Sequence, residues 1–134
     1  MNLRRQSIAI PGFSHGQQPI PAACRRGPLL MTGGIHGMDR TTGQLAATLD
    51  EQVEHMFDNL AAIMAAGGGS MDDIVKVTVY GTSHDIRDAV NRRWLRDFPD
   101  AASRPARHTR ITQTLRPPML VQCDAVAFIG EAAA

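Results

Sequence analysis

The residues in this sequence best suited to bind an anion are its arginines, because they supply nearly all of the positively charged side chains. Thirteen of the fourteen basic residues are arginine, and Lys76, the single lysine, is the one candidate for a Schiff base. Arg107 follows Pro105 and Ala106 at the start of a predicted strand, where a side chain can be held rigidly. A guanidinium there can form paired hydrogen bonds with a carboxylate. The alternative interpretation of Arg107 is an ordinary surface arginine on a strand.

The charge is distributed unevenly along the chain, although the net charge is only +1. Residues 1–38 carry +4 and residues 101–123 carry +4, and neither segment contains an acidic residue. Residues 39–100 carry −5. The near-zero net charge argues against a general nucleic-acid binder. If the two acid-free segments meet in the fold, they form a locally positive site.

The histidines and cysteines do not predict a metal site. The histidines form no HxH or HExxH pair, and the two cysteines are 99 residues apart, without a CxxC motif. Cys24 and Cys123 are therefore expected to be reduced, and Cys123 to be a buried apolar residue rather than a nucleophile. His15, His36 and His108 lie beside glycine or arginine in the acid-free segments, which makes them candidates for proton transfer.

Gly33 and Gly34 form a glycine pair at the end of a predicted strand. The residues that follow are typical of turns, so no helix N-terminus is available to bind a phosphate. The pair is expected to let a ligand approach the backbone, or to form a simple bulge.

Length and apolar periodicity predict one α+β domain over residues 1–134, with a tail at 130–134. Thr48 and Glu51 are expected to cap the first helix, and Ser83 the second. In the second helix, Ile86, Val90 and Trp94 should face the core and the four arginines should lie mostly outside. The helices are expected at about 48–66 and 84–98, and the strands at 3–10, 28–35, 74–80, 106–115 and 119–129. This order predicts a sheet with two helices on one face.

No segment is apolar for long enough to cross a membrane. The longest apolar run covers residues 60–66, whereas a span needs about 20 residues. The apolar stretch after Arg4 and Arg5 is only a few residues long, which is too short for the apolar region of a signal peptide. A soluble cytoplasmic protein is the expectation.

Several segments, in order and spacing, resemble the YjgF-like family of reactive-intermediate deaminases (RidA), also known as L-PSP endoribonucleases or translation inhibitors. The resemblance covers about residues 17–129. Its motifs are GPLLMTGG at 27–34, TGQL at 42–45, the long segment 51–80, VNRRWLRDFPD at 90–100, RPARHT at 104–109 and MLVQCDAVAFI at 119–129.

The resemblance implies a chorismate-mutase-like subunit, with a mixed sheet backed by two helices. It also implies a homotrimer around a barrel-like centre, with ligand sites between subunits. In such proteins an imine or enamine of a small carboxylic acid is hydrolysed to a keto acid and ammonia, without a cofactor. Arg107 matches the arginine that binds the substrate carboxylate, Gly34 the glycine whose backbone faces the ligand, and Asn91 an asparagine near the site.

The sequence departs from the family pattern at four positions around this site. Gln122 stands where the family has a glutamate that positions or activates water, and an amide cannot act as a carboxylate base. Ile20 replaces a tyrosine, Gly33 replaces a serine, and Thr109 replaces a cysteine or serine. His15, His36 or Asp124 could take over the proton transfer.

Three functions are compatible with these residues. The first is a deaminase-type hydrolase of small carboxylated imines, with Arg107 binding the carboxylate. The second is a trimeric carboxylate-binding protein without turnover, because Gln122 lacks a carboxylate. The third is a ribonuclease or translation inhibitor, against which the neutral charge and the scarcity of aromatic residues argue.

Overall fold

The structure is a computed structural model that describes residues 4–130. The predicted tail beyond Gly130 and the first residue of the predicted strand 3–10 lie outside the described residues. No helix in the described range is long and apolar enough to cross a membrane. The helices are α1 (Leu49–Ala66), α2 (Ile86–Asp97) and a short 3₁₀ helix (Met71–Asp73). The strands are β1 (Gln6–Ile8), β2 (Ala23–Arg26), β3 (Leu29–Thr32), β4 (Ile35–His36), β5 (Met38–Asp39), β6 (Gln44–Leu45), β7 (Ile74–Gly81), β8 (Ala106–Ile111) and β9 (Val121–Phe128).

The main sheet is mixed, as predicted. Its strands lie in the order β1-β2-β3-β9-β7-β8, with β4 also paired to β9, while β5 and β6 form a separate hairpin. Strands β7 and β8 are parallel and the other pairs are antiparallel. A parallel pair needs a crossover connection, and α2 provides it between β7 and β8.

One face of the sheet, here called the helix side, packs into the core. The alternate residues of β9 that face it are all buried, and Cys123 among them has no exposed surface. Burial, and secondarily the charge of Asp124, raises the pKa of the Cys123 thiol far above its ordinary value. The prediction that Cys123 is a buried apolar residue is confirmed.

The opposite face, here called the open side, carries exposed apolar side chains at its β3–β9 end. Leu29 pairs with Phe128, and Met31 pairs with Val126. The exposed fractions of Leu29, Met31 and Phe128 are 44%, 50% and 60%. Such a cluster of exposed apolar side chains is typical of a surface that another chain covers.

The helix starts follow local capping chemistry. The Thr48 side chain accepts a hydrogen bond from the Glu51 backbone N–H at 3.2 Å, so the predicted cap of α1 is confirmed. The prediction for α2 was wrong by two residues. The Ser83 hydroxyl accepts from the backbone N–H of Asp85 at 3.3 Å, so it caps the preceding turn, and α2 begins only at Ile86.

Arg93 is buried between the two helices, so its predicted place outside was wrong. Only 7% of it is exposed, and its guanidinium lies 5.7 Å from the Phe57 ring. The burial of the Arg93 charge is tolerated because three carboxylates compensate it. The guanidinium forms ion pairs of 2.9–3.0 Å with Glu54, Asp58 and Asp97.

Two strand predictions also need correction, and one strand was missed. In the strand predicted at 74–80, alternation would place Val75 on the same side as the buried Val77 and Val79, but Val75 is 53% exposed because a bulge between Ile74 and Lys76 shifts the register. The strand predicted at 106–115 ends at Ile111. Strand β2, Ala23–Arg26, was missed because its four residues show no apolar alternation.

Candidate functional site

Arg107 is held in a fixed orientation by two side chains of α2. Its Nη2 donates a hydrogen bond to Asn91 Oδ1 at 2.6 Å. Its guanidinium carbon lies 4.9 Å from the centre of the Trp94 ring, which is cation–π geometry. We call these three residues the Arg107 cluster. It leaves the other guanidinium N–H groups available to an anion.

The Arg107 cluster is electrostatically uncompensated. In residues 4–130, no carboxylate lies within ion-pair distance of the Arg107 guanidinium. Burial, and secondarily the positive charge of Arg87, lowers the pKa of Arg107. Both causes disfavour the cation, and a bound anion would relieve the repulsion from Arg87.

A second group of predicted residues meets at the β3–β4 junction. His15 Nε2 lies 2.6 Å from the Gly34 carbonyl oxygen, which can only accept, so Nε2 carries the hydrogen. A Cβ atom on Gly34 would overlap the side-chain amide of Gln122. His36 pairs with Gln122 across β4 and β9. We call His15, Gly34, His36 and Gln122 the Gly34 cluster. Because a Cβ atom would cause that overlap, only glycine at position 34 allows the Gln122 side chain to come this close.

The two histidines of the Gly34 cluster pack against Phe13 of the N-terminal loop. The Phe13 ring centre lies 4.9 Å from His36 and 5.5 Å from His15, and the histidine rings are 6.2 Å apart. His15 Nδ1 is buried and has no hydrogen-bond partner in the described part of the chain. In the neutral ring with its hydrogen on Nε2, this atom carries the lone pair.

Asn59 of α1 positions the backbone of the Gly34 cluster. Its side-chain amide donates to the carbonyl oxygens of His36 and Met38, both at 3.0 Å. Sequence reasoning missed Asn59, although an asparagine beside Leu60 within the apolar part of α1 was a usable signal. A buried amide requires hydrogen-bond partners.

The two clusters lie on opposite sides of the sheet in one chain. Val77 is paired in register with Arg107 on one side and with Ala125 on the other. Val77 and Ala125 are buried on the helix side, so Arg107 faces the helix side too. Gln122 alternates with the buried residues of β9 and so faces the open side. A small ligand bound to a single chain therefore cannot contact both clusters.

The remaining predicted site residues are distributed as follows. Thr109 is half-buried and follows Arg107 by two on β8, so it shares the helix side. Ile20 is 54% exposed on the N-terminal loop. Gly33 lies near the His15 ring, at the end of β3. Asp124 alternates with the buried residues of β9 and so faces the open side, where burial, and secondarily the charge of Asp124, raises the pKa of Tyr80. Among residues 4–130, no three potential metal ligands converge.

His36 is expected to make the protein less stable in mild acid. Burial, and secondarily the charge of His15, lowers the pKa of His36. Below the ordinary histidine value of about 6.5, the unfolded chain therefore takes up a proton at His36 before the folded chain does. The free energy of unfolding should be constant above that pH and fall as the pH drops toward the lowered pKa.

Urea unfolding at a series of pH values measures this loss. His36→Leu should flatten the decline, whereas His84→Gln, which replaces an exposed histidine, should keep it. An unchanged decline in His36→Leu would contradict the assignment to His36.

Comparisons with known proteins agree with this fold and with its sequence motifs. The family model described as Endoribonuclease L-PSP matches residues 17–129. The chain belongs to this family. A RutC family protein of Aquifex aeolicus is 33% identical over 91 residues, covering 68% of this chain and 73% of the relative.

Solved structures of a RidA and a YjgF protein share the architecture. RidA from an Antarctic Psychrobacter species superposes with a TM-score of 0.84 at 25% identity, over 92% of this chain and 99% of that one. The YjgF gene product of Escherichia coli gives a TM-score of 0.82, also at 25% identity, over 92% and 98%. The fold is thus the mixed α+β fold of RidA and YjgF proteins.

Proposed function

We propose that this L-PSP family protein hydrolyses imines or enamines of small carboxylic acids to keto acids and ammonia. The observation that carries the proposal is the Arg107 guanidinium, fixed by Asn91 and Trp94 and left without a carboxylate in residues 4–130. Such a group is prepared to bind a carboxylate bidentately. We also propose that the protein acts in the cytoplasm and needs no cofactor.

The proposed site lies between subunits of a homotrimer. The two clusters face opposite sides of one sheet, so only a second copy can bring a Gly34 cluster to an Arg107 cluster. The exposed Leu29, Met31 and Phe128 provide apolar area that assembly would bury. Light scattering should give a mass three times the 14.5 kDa of one chain.

The proposed reaction adds one water across the C=N bond, which an enamine acquires by moving a proton from its nitrogen to its carbon. The water oxygen bonds to the imine carbon, the nitrogen gains two protons from that water, and ammonia leaves as the C=O bond forms. Gln122 can hold the water by hydrogen bonds but cannot take its proton. We assign the transfer of that proton to the nitrogen to His15, whose Nδ1 carries the lone pair but is buried within one chain, so the site must open for the water to reach it. His36 stays neutral near pH 7 because its pKa is lowered.

A trapping assay tests the proposed reaction. An amino-acid oxidase generates the imino acid, and semicarbazide competes with hydrolysis for it. The purified protein should lower semicarbazone formation in proportion to its concentration. No effect on any small imino acid tested, at protein concentrations matching the oxidase, would contradict the proposal.

Gln122 favours a second candidate function, a carboxylate-binding protein without turnover. Under our main proposal the wild type hydrolyses imines, and Gln122→Glu raises kcat about tenfold or more because a general base is supplied. Gln122→Met serves as the control that removes hydrogen bonding. An inactive wild type that gains activity as Gln122→Glu would establish the binding protein instead. No activity in either would refute the imine substrate class.

A further inference from the structure

A second unpaired arginine lies beside the Arg107 cluster. Arg87, Asn91 and Trp94 are spaced i, i+4 and i+7 on α2, so they form one stripe along the helix. Asn91 and Trp94 both contact the Arg107 guanidinium. Arg87 therefore projects from the same side of α2, one helical turn before Asn91, and after burial its charge is the second cause of the lowered pKa of Arg107.

Arg87 differs from the other arginines of α2 in lacking an acidic partner. Arg92 pairs with Asp50 at 2.7 Å, Arg96 pairs with Glu54 at 2.5 Å, and Arg93 has three carboxylates. In the part of the chain that the structure describes, Arg87 forms no ion pair, although Asp85 and Asp88 are close in sequence.

Two neighbouring guanidinium groups without counter-charges repel each other. One carboxylate would satisfy Arg107 alone and leave Arg87 unpaired. A ligand with two anionic groups would satisfy both, and it would gain the attraction of each charge. An exposed arginine can reorient toward such a ligand, because its long side chain has several rotatable bonds.

We propose that Arg87 and Arg107 together bind a dicarboxylate, so that the substrate class is the short 2-imino dicarboxylates, formed from acidic amino acids. Arg107 binds the carboxylate next to the reacting carbon, and Arg87 binds the distal carboxylate. This inference rests on the proposed function, because it assumes that Arg107 receives the substrate. Arg87 is then the residue that selects for the second charge.

Matched keto acids test the inference without requiring turnover. 2-Oxoglutarate and 2-oxopentanoate have the same chain length, and they differ in the distal carboxylate. Calorimetric titration of the wild type should give a Kd about tenfold or more lower for 2-oxoglutarate, as expected for one charge-assisted contact. Arg87→Gln should abolish this preference while leaving the Kd of 2-oxopentanoate within about twofold.

Two further variants complete the test. Arg92→Gln, on the same helix but outside the stripe, should keep the wild-type preference, and Arg87→Lys should keep part of it. Equal affinities in the wild type, or an unchanged preference in Arg87→Gln, would overturn the inference. An Arg107→Ala variant that binds both keto acids as the wild type does would instead overturn the proposed function itself.

Discussion

Arg107→Ala is expected to lower kcat/KM for imine hydrolysis by about a hundred- to ten-thousandfold. The variant loses two charge-assisted hydrogen bonds to the substrate carboxylate, each contributing about 1.5–3 kcal/mol. The loss should occur mainly in KM if the carboxylate is bound equally in the ground and transition states. The trapping assay, run over a range of imino acid concentrations, separates KM from kcat.

Two variants control this result. Arg107→Lys keeps the charge but loses the planar fork, so it should recover only a small part of the activity. Arg116→Gln removes an exposed arginine of the loop before β9 and should leave the activity unchanged. An Arg107→Ala protein that folds normally and hydrolyses imines within about threefold of the wild type would contradict the assigned role.

Arg93→Ala is expected to cause the largest loss of stability of any single arginine substitution in α2. Its removal leaves Glu54, Asp58 and Asp97 without their shared counter-charge and opens the packing against Phe57. The carboxylates keep some solvent contact, so we expect the free energy of unfolding to fall by about 2–4 kcal/mol. Urea unfolding at one fixed protein concentration measures this change.

The adjacent residue provides a matched control. Arg92 and its partner Asp50 are 63% and 70% exposed, and such surface ion pairs contribute less than about 1 kcal/mol. Arg92→Ala should therefore change stability little, whereas Arg93→Met, which restores apolar packing, should still be destabilised. Equal losses of stability in Arg93→Ala and Arg92→Ala would show that the ion pairs of Arg93 are not the main ones between the two helices.

The sequence predicted elements whose determinants are local. The apolar spacing and the Thr48 cap were sufficient to place α1 within one residue. Arg93 was misplaced because the carboxylates of Glu54 and Asp58, which make its burial possible, come from another helix. Strand β2 was missed because pairing with its neighbours, rather than apolar alternation, makes it a strand.

The candidate site was predicted as a set of residues but not as an arrangement. Arg107, Asn91, Gly34 and Gln122 were all identified, partly through the family resemblance. That they form two clusters on opposite sides of one sheet depends on the register of β7, β8 and β9. The stacking of Arg107 on Trp94 likewise depends on the position of α2 over β8, which no local pattern encodes.

The central claim is that the two clusters form one carboxylate site when two copies of the chain meet. A crystal structure of the protein soaked with a small 2-keto acid tests it most directly. We predict that the keto acid carboxylate lies within hydrogen-bond distance of Arg107. We also predict that the keto carbon faces Gly34 and Gln122 of a neighbouring subunit. A keto acid bound away from Arg107, or an Arg107 cluster that no neighbouring Gly34 cluster approaches, would contradict the claim.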